Sequence, residues 1–198
     1  MIIKHRIVPY LKHRNILKDV STFDELLKII KTEGIYAKNI AKDNFDKLPS
    51  NFIEKYKKEI NDKIVNKYNT MTGDIFEFFT LCFLNYYGNY YKLHDVKPTS
   101  YFTSDDYGVD AYAIDSVDGF PITIQAKYRS DITGSLTYRE LTSFTSASQS
   151  GRGNVNLKAP DFSHMILFTS CSGLHHTAKK EFSVNGSMRV FDHNVIKK

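Results

Sequence analysis

The amino-acid pattern predicts an α/β fold, a layer sandwich of helices around a central mixed β-sheet, preceded by a helical N-terminal extension. Three observations point there. Up to Gly88 the apolar residues recur at helical spacing, after Gly88 they fall into short strand-like runs, and beyond Ser135 helical and strand segments alternate.

The opening stretch, Met1 to Asp19, mixes Lys and Arg with Ile and Leu and reads as strand or irregular structure. Thr22 followed by Glu25 forms a capping box, and Leu26, Leu27, Ile29 and Ile30 continue a short helix that Gly34 is expected to end. A second helix is expected from Ser50 or Asn51, with Ile53, Tyr56, Ile60, Ile64 and Tyr68 along one face and lysines on the others. Asn69 to Gly73 is a candidate hinge. Gly73 to Gly88 then carries Ile75, Phe76, Phe78, Phe79, Leu81, Phe83 and Leu84 around its circumference, which predicts a helix buried on all sides. Glu77 lies inside it. A buried carboxylate is costly unless a cation or hydrogen-bond donors meet it, so a positive group is expected nearby, a paired lysine or reach to an edge being the plainer alternative.

Strands are expected over residues 90–96, 109–114 and 122–128, the last two joined by the turn-forming run Asp115 to Gly119. A helix over 136–149, capped by Ser135, precedes a polar, glycine-containing loop. A buried strand over 164–169, a helix over 177–182 and a last strand over 188–191 complete the order.

With 198 residues and 41% apolar content the chain can fill a core of its own. We read residues 1–70 as a basic, mainly helical extension and 71–198 as the domain that carries the sheet. The first 70 residues hold 15 Lys or Arg against 9 Asp or Glu, whereas the remainder holds 12 against 13, so the formal charge of +5 is entirely N-terminal. That asymmetry suits contact of the first part with a polyanion, although lysines on surface helices also serve simply as a solvated face. No apolar run is long enough to span a bilayer and no secretory leader is evident, which predicts a cytoplasmic protein without a membrane partner. Cys82 and Cys171 lie apart inside apolar runs, so both are expected to be buried thiols rather than zinc ligands or a disulfide.

The hairpin carries the chemistry. If Ser116 to Gly119 forms a four-residue loop, Asp110 stands opposite Gln125, Ala111 opposite Ile124 and Ala113 opposite Ile122. Lys127 shares the side of Gln125, so an acid, an amide and a cation gather on one face while the other stays apolar. A bulge would break this reasoning. A carboxylate and an amide oxygen are hard ligands suited to Mg²⁺, with Mn²⁺ able to substitute, and a lysine beside them can orient a water and offset charge growing on a phosphate.

The series Gly73-Asp-Ile-Phe-Glu77, Asp106-Tyr-Gly-Val-Asp-Ala111, Ile124-Gln-Ala-Lys-Tyr-Arg129, Arg139-Glu-Leu141 and Ile166-Leu-Phe-Thr-Ser170 resembles the Mrr-like branch of the PD-(D/E)XK restriction-endonuclease superfamily, over about residues 73–185. The resemblance implies a restriction-endonuclease-like core and metal-dependent hydrolysis of phosphodiester bonds in duplex DNA, in a prokaryotic or phage setting. It implies roles for Asp110 as principal metal ligand, Gln125 as second ligand, Lys127 as the water-orienting cation and Glu77 as an outer or second-metal ligand. Val109 stands where the family name has Pro. Gln125 replaces the second acid, a neutral ligand expected to hold metal less tightly.

Further candidates are weaker. Arg129, Ser135, Arg152 and Lys158 could contact DNA phosphates, though exposed polar loops are commonly just solvated. His175 and His176 read as a surface pair, Thr169 and Ser170 as caps of the following turn, and Asp105 and Asp106 as loop acids that could substitute for Asp110. Alternatives to a nuclease are a DNA-binding module that has lost cutting, or the nuclease module of a helicase-type restriction system. The chain has no phosphate-loop motif, so a motor would be a separate subunit or segment. A branched-DNA resolvase is a further alternative, and cutting both strands would call for a homodimer.

Overall fold

The computed structural model describes residues 15–18, 20–99, 108–151, 157–184 and 186–197. Helices α1 (Phe23–Phe45), α2 (Ser50–Lys55) and α3 (Lys57–Tyr87) come first, followed by strands β1 (Leu93–Pro98), β2 (Ala111–Asp115) and β3 (Pro121–Lys127). Helix α4 (Tyr138–Ser150), a 3₁₀ turn (Phe162–His164), β4 (Met165–Thr169), α5 (His176–Ser183), β5 (Arg189–Phe191) and α6 (His193–Ile196) complete the chain. The strands form one sheet in the order β1-β2-β3-β4-β5, antiparallel from β1 to β3 and parallel from β3 to β5. This mixed sheet flanked by helices is the expected α/β architecture.

Alternation along each strand divides the core in two. Ile122 and Ile124 of β3 and Ile166 and Phe168 of β4 meet Phe23, Leu26 and Ile30 of α1 and Ile75, Phe76 and Leu84 of α3. Met165 and Leu167, on the opposite side, pack with Leu141 and Phe144 of α4 and Phe182 of α5. Ala41, Ile60 and Ile64 form a small satellite cluster at the far end of the α1–α3 pair.

The N-terminal helices depart from expectation in length. Helix α1 begins at the predicted Thr22/Glu25 capping box but runs through Gly34 to Phe45. Gly34 serves a close helix crossing: a Cβ there would lie 2.5 Å from the Thr72 methyl and 2.8 Å from the Tyr68 ring of α3. The same contact occupies the segment expected to be a hinge, and α3 passes unbroken from Lys57 to Tyr87. The boundary expected between residues 70 and 71 therefore falls inside a helix, and α1 shares a core with the sheet.

Helix α3 is also less buried than its composition suggests. It lies across one face of the sheet, so its outer side meets water: Tyr86 is 81% exposed, Cys82 is exposed rather than buried, and Glu77 is half-buried. Cys171 is buried as expected. Helix α4 is capped by Thr137, paired with Glu140 in a capping box, and not by Ser135, which is an exposed loop residue. Strands β1, β2 and β3 agree with the expected segments within a few residues. No described helix is long and apolar enough to cross a membrane.

Candidate active site

The β2–β3 hairpin closes with the Asp115 amide donating to the Phe120 carbonyl at 2.9 Å, which makes Ser116 to Gly119 the loop. Ala111 stands opposite Ile124 and Ala113 opposite Ile122, as the parity of that loop requires. The ladder changes at Asp110. Its amide donates to the Ile124 carbonyl (2.9 Å), the acceptor level with Ala111, so the chain is one residue out of step on entering β2. The expected Asp110–Gln125 pairing is replaced by a side-chain bond: Asp110 Oδ2 accepts from the Ala126 amide at 2.7 Å, a donor that the Val109 carbonyl would satisfy in a regular ladder. That carbonyl instead accepts from the Thr99 hydroxyl, while the Thr99 amide donates to the Asp110 carbonyl at 3.0 Å. Asp110 is thereby held from both flanking strands.

Gln125 faces the α4 layer. Its neighbour at two-residue spacing, Thr123, donates to the Ser148 hydroxyl of α4 at 2.7 Å, and its partner on β4 is Leu167, a member of the α4-side core. Gln125 is 5% exposed, and among the described residues its Oε1 has no hydrogen-bond partner. Gly108 passes directly over it at φ +86°, and a Cβ there would lie 2.7 Å from Gln125 Nε2. Glycine is thus required twice, for the left-handed backbone and for the approach.

Lys127 ends β3 on the same side. Burial, and then repulsion from Arg129, lower its pKa below the usual lysine value, with Asp110 and Glu140 acting against the shift. Its backbone is fixed from β4. The Thr169 hydroxyl donates to the Lys127 carbonyl at 2.8 Å, and the Ser170 hydroxyl accepts from the Arg129 amide at 2.6 Å and donates to the Arg129 carbonyl at 2.8 Å. Both hydroxyls brace the neighbouring strand, and the Thr169 hydroxyl also accepts from the Cys171 amide at 3.4 Å, so it caps the following turn as expected. Arg129 in turn forms an ion pair with Glu140. Burial raises the Glu140 pKa, but the Thr137 amide and hydroxyl and Arg129 outweigh it and hold the carboxyl below its ordinary range.

Glu77 sits differently. Helix α3 packs on the opposite face of the sheet from Gln125, and Glu77 is not among the charges that shift Lys127. The layers come together beyond the end of β3, where a cleft of 420 Å³ is lined by Tyr68, Thr72 and Gly73 of α3 and by Ala126, Lys127 and Arg129. Gly73 lies one turn before Glu77 on the same helical face, so that face borders the cleft.

Glu140, Thr169 and Ser170 were assigned no site role from sequence. The Thr137-x-x-Glu140 capping box was the available signal for the first, and for the hydroxyls none exists, because their partners are 41 and 42 residues away. Ser135 and Lys158 are exposed, and Arg152, Asp105 and Asp106 lie outside the described residues. The His175 and His176 rings lie 4.0 Å apart, tilted at 46°, with His175 capping α5 through the Thr177 amide.

A second polar cluster lies at the turn end of the hairpin. His164 Nε2 is 2.8 Å from Asp118 Oδ2 and its Nδ1 is 2.9 Å from Asp161 Oδ1, while buried Asp115 pairs with Arg189. Ligand atoms of Asp115, Asp118 and His164 all fall within 4.8 Å of one another. The groups that meet these carboxylates are the Arg189 guanidinium and the His164 imidazole, so the cluster ties the turn to the ends of β4 and β5.

Among known proteins, a family model of the Mrr catalytic type, described as restriction endonuclease, matches residues 84–194, more than half of the chain. The match takes in Asp110, Gln125 and Lys127 and begins after Glu77. No curated protein and no solved structure matches the chain.

Proposed function

Since the chain belongs to the restriction-endonuclease family whose model it matches, and such enzymes cut DNA, we propose that it is a Mg²⁺-dependent DNA endonuclease with Asp110, Gln125 and Lys127 as its catalytic set. The observation that carries this reading is the buried Gln125 Oε1, which has no partner among the described residues and belongs to the residue next to Ala126, whose amide holds the Asp110 carboxylate. A buried amide oxygen without a donor is costly, and a hard divalent ion is the partner this donor set fits. Bound by Asp110 and Gln125, Mg²⁺ or Mn²⁺ would supply Lewis-acid polarisation of the scissile phosphate.

The chain's own groups do the remaining work. The Asp110 carboxylate is oriented by the Ala126 amide, which leaves it little freedom to swing away from Gln125. The Lys127 ammonium donates to the attacking water and offsets charge that grows on the phosphate oxygens. Partial burial strengthens that interaction, and the flanking Arg129 adds positive field while Glu140 holds Arg129 in place. Glu77 is assigned as an outer carboxylate because its helical face borders the cleft that contains Lys127. Arg129, Ser135 and Lys158, with Arg152, are assigned to the DNA backbone. A double-strand cut would take a second copy of the chain.

Plasmid nicking in Mg²⁺, Mn²⁺ or chelator tests the proposal. Wild type is expected to nick only with a divalent ion, and Lys127→Ala to lose roughly 10²- to 10³-fold in rate, the scale of removing one preorganised charge-stabilising donor. Nicking that persists in chelator, or in Lys127→Ala at the wild-type rate, would refute it.

A further inference from the structure

The cleft beyond Lys127 does not end at Arg129. A second cleft, of 410 Å³, shares Tyr128, Arg129 and Ser130 with the first and extends the surface toward α1 and α6. Its far wall carries Lys28 and Lys31 of α1 and Lys197 at the end of α6. Asp24 is the carboxylate on this wall, and it is taken up internally, 2.8 Å from Lys197 and 3.3 Å from His193. Lys28 and Lys31, by contrast, are exposed and form no ion pair among the described residues. They stand three residues apart on α1, hence on one helical face, turned into the same cleft as Arg129.

The placement of these lysines is rigid. Leu26, Leu27 and Ile30 bury the opposite side of α1 in the sheet-facing core, and Gly34 seats the helix on Tyr68 and Thr72 of α3. Tyr68 lines the first cleft together with Tyr128, whose phenol is pushed up in pKa first by burial and then by that neighbour. Helix α1 is thus keyed to the strand end that bears Lys127. Two exposed ammonium groups without a close ion-pair partner among the described residues, Lys28 lying within the field of Asp24, suit a strand that carries a negative charge at every nucleotide.

We propose that Lys28 and Lys31 bind the phosphodiester backbone of the DNA strand that passes through the Lys127 cleft, so that α1 is one wall of the substrate groove. This rests on the nuclease reading above and adds to it a substrate-binding function for the N-terminal helices. Arg129 lies where the two clefts join, between the reacting phosphate and its neighbours.

The test is anisotropy of a labelled duplex oligonucleotide in EDTA, titrated with the full chain at several salt concentrations. Lys28→Ala/Lys31→Ala is compared with Lys57→Ala/Lys58→Ala, which removes the same charge at the start of α3, outside both clefts. The cleft variant is expected to bind on the order of tenfold more weakly, with the slope of log K against log salt smaller in magnitude by about 1 to 2, as loss of one or two phosphate contacts requires. Lys28→Arg/Lys31→Arg should retain wild-type binding. Wild-type affinity and slope in Lys28→Ala/Lys31→Ala, or an equal loss in Lys57→Ala/Lys58→Ala, would overturn the inference while leaving the nuclease proposal standing. Absence of plasmid nicking by wild type in Mg²⁺ would instead sink the nuclease reading, whatever the binding data.

Discussion

Replacing Gln125 with Met should stabilise the metal-free protein while abolishing cleavage. Gln125 is 5% exposed, lies between β3 and the α4 layer, and has an Oε1 without a partner among the described residues. An unmatched buried polar group costs about 1–3 kcal/mol, and methionine has similar length and no polar amide. Relief of roughly 1–2 kcal/mol corresponds to about 2–8 °C in Tm for a chain of this size. In chelator, Gln125→Met should therefore melt above wild type. With Mg²⁺ the order should narrow or reverse, because an ion bound to the native state alone stabilises wild type by about 2.7 kcal/mol at a concentration one hundred times its Kd, and the variant has lost a ligand. Thermal melts with and without Mg²⁺, run beside a nicking assay, separate the two effects. If Gln125→Met melts below wild type in chelator, or gains as much from Mg²⁺, then Oε1 is not an orphan awaiting an ion and the site reading is wrong.

Other outcomes follow from the same geometry. Gly108→Ala combines a backbone at φ +86° with a Cβ 2.7 Å from Gln125 Nε2; a loss of about 1–3 kcal/mol is expected from the strain, with weaker Mg²⁺ stabilisation, both read by thermal melts. The His164 cluster should make stability depend on pH. Burial lowers the His164 pKa, but Asp161 and Asp118 outweigh it and leave it above 6.5, so its stabilisation is complete below that pH and fades as pH rises through the folded value. Asp161 is held at about 2, first by the Ser163 hydroxyl, so its contribution is complete above 3.8 and is lost as pH falls from there through about 2. A plot of Tm against pH should show wild type losing stability on the alkaline side relative to His164→Gln, and a constant difference across that range would contradict the assignment. Thr169→Val removes the bond to the Lys127 carbonyl without changing side-chain volume much; cleavage should fall several-fold with DNA affinity unchanged, whereas a wild-type rate would show that β4 does not position Lys127.

The hairpin was legible because its information is local. A polar turn of even length, alternating residues and an Asp, Gln and Lys at set spacing establish which residues share a side, and Ala111–Ile124 and Ala113–Ile122 obey that rule. The departure at Asp110 was not legible, since the bulge depends on Thr99 of β1 taking the Val109 carbonyl. Gly34 signals a helix end by propensity, yet here it admits the Thr72 methyl and Tyr68 ring of another helix. The oily character of Gly73 to Gly88 is plain in the sequence, but which part of it meets water depends on where the sheet lies.

Composition and spacing alone determined the α/β class, the strand segments, the candidate catalytic residues and the concentration of positive charge in the first 70 residues, because each is written in near-neighbour pattern. Only the tertiary structure decided that Gln125 and Glu77 approach from opposite layers, that Thr169 and Ser170 brace the Lys127 strand, and that Lys28 and Lys31 border the same groove. Those relations join residues dozens of positions apart, and they arise when α1 and α3 bury their apolar sides against a twisted sheet, a packing outcome that no local periodicity encodes.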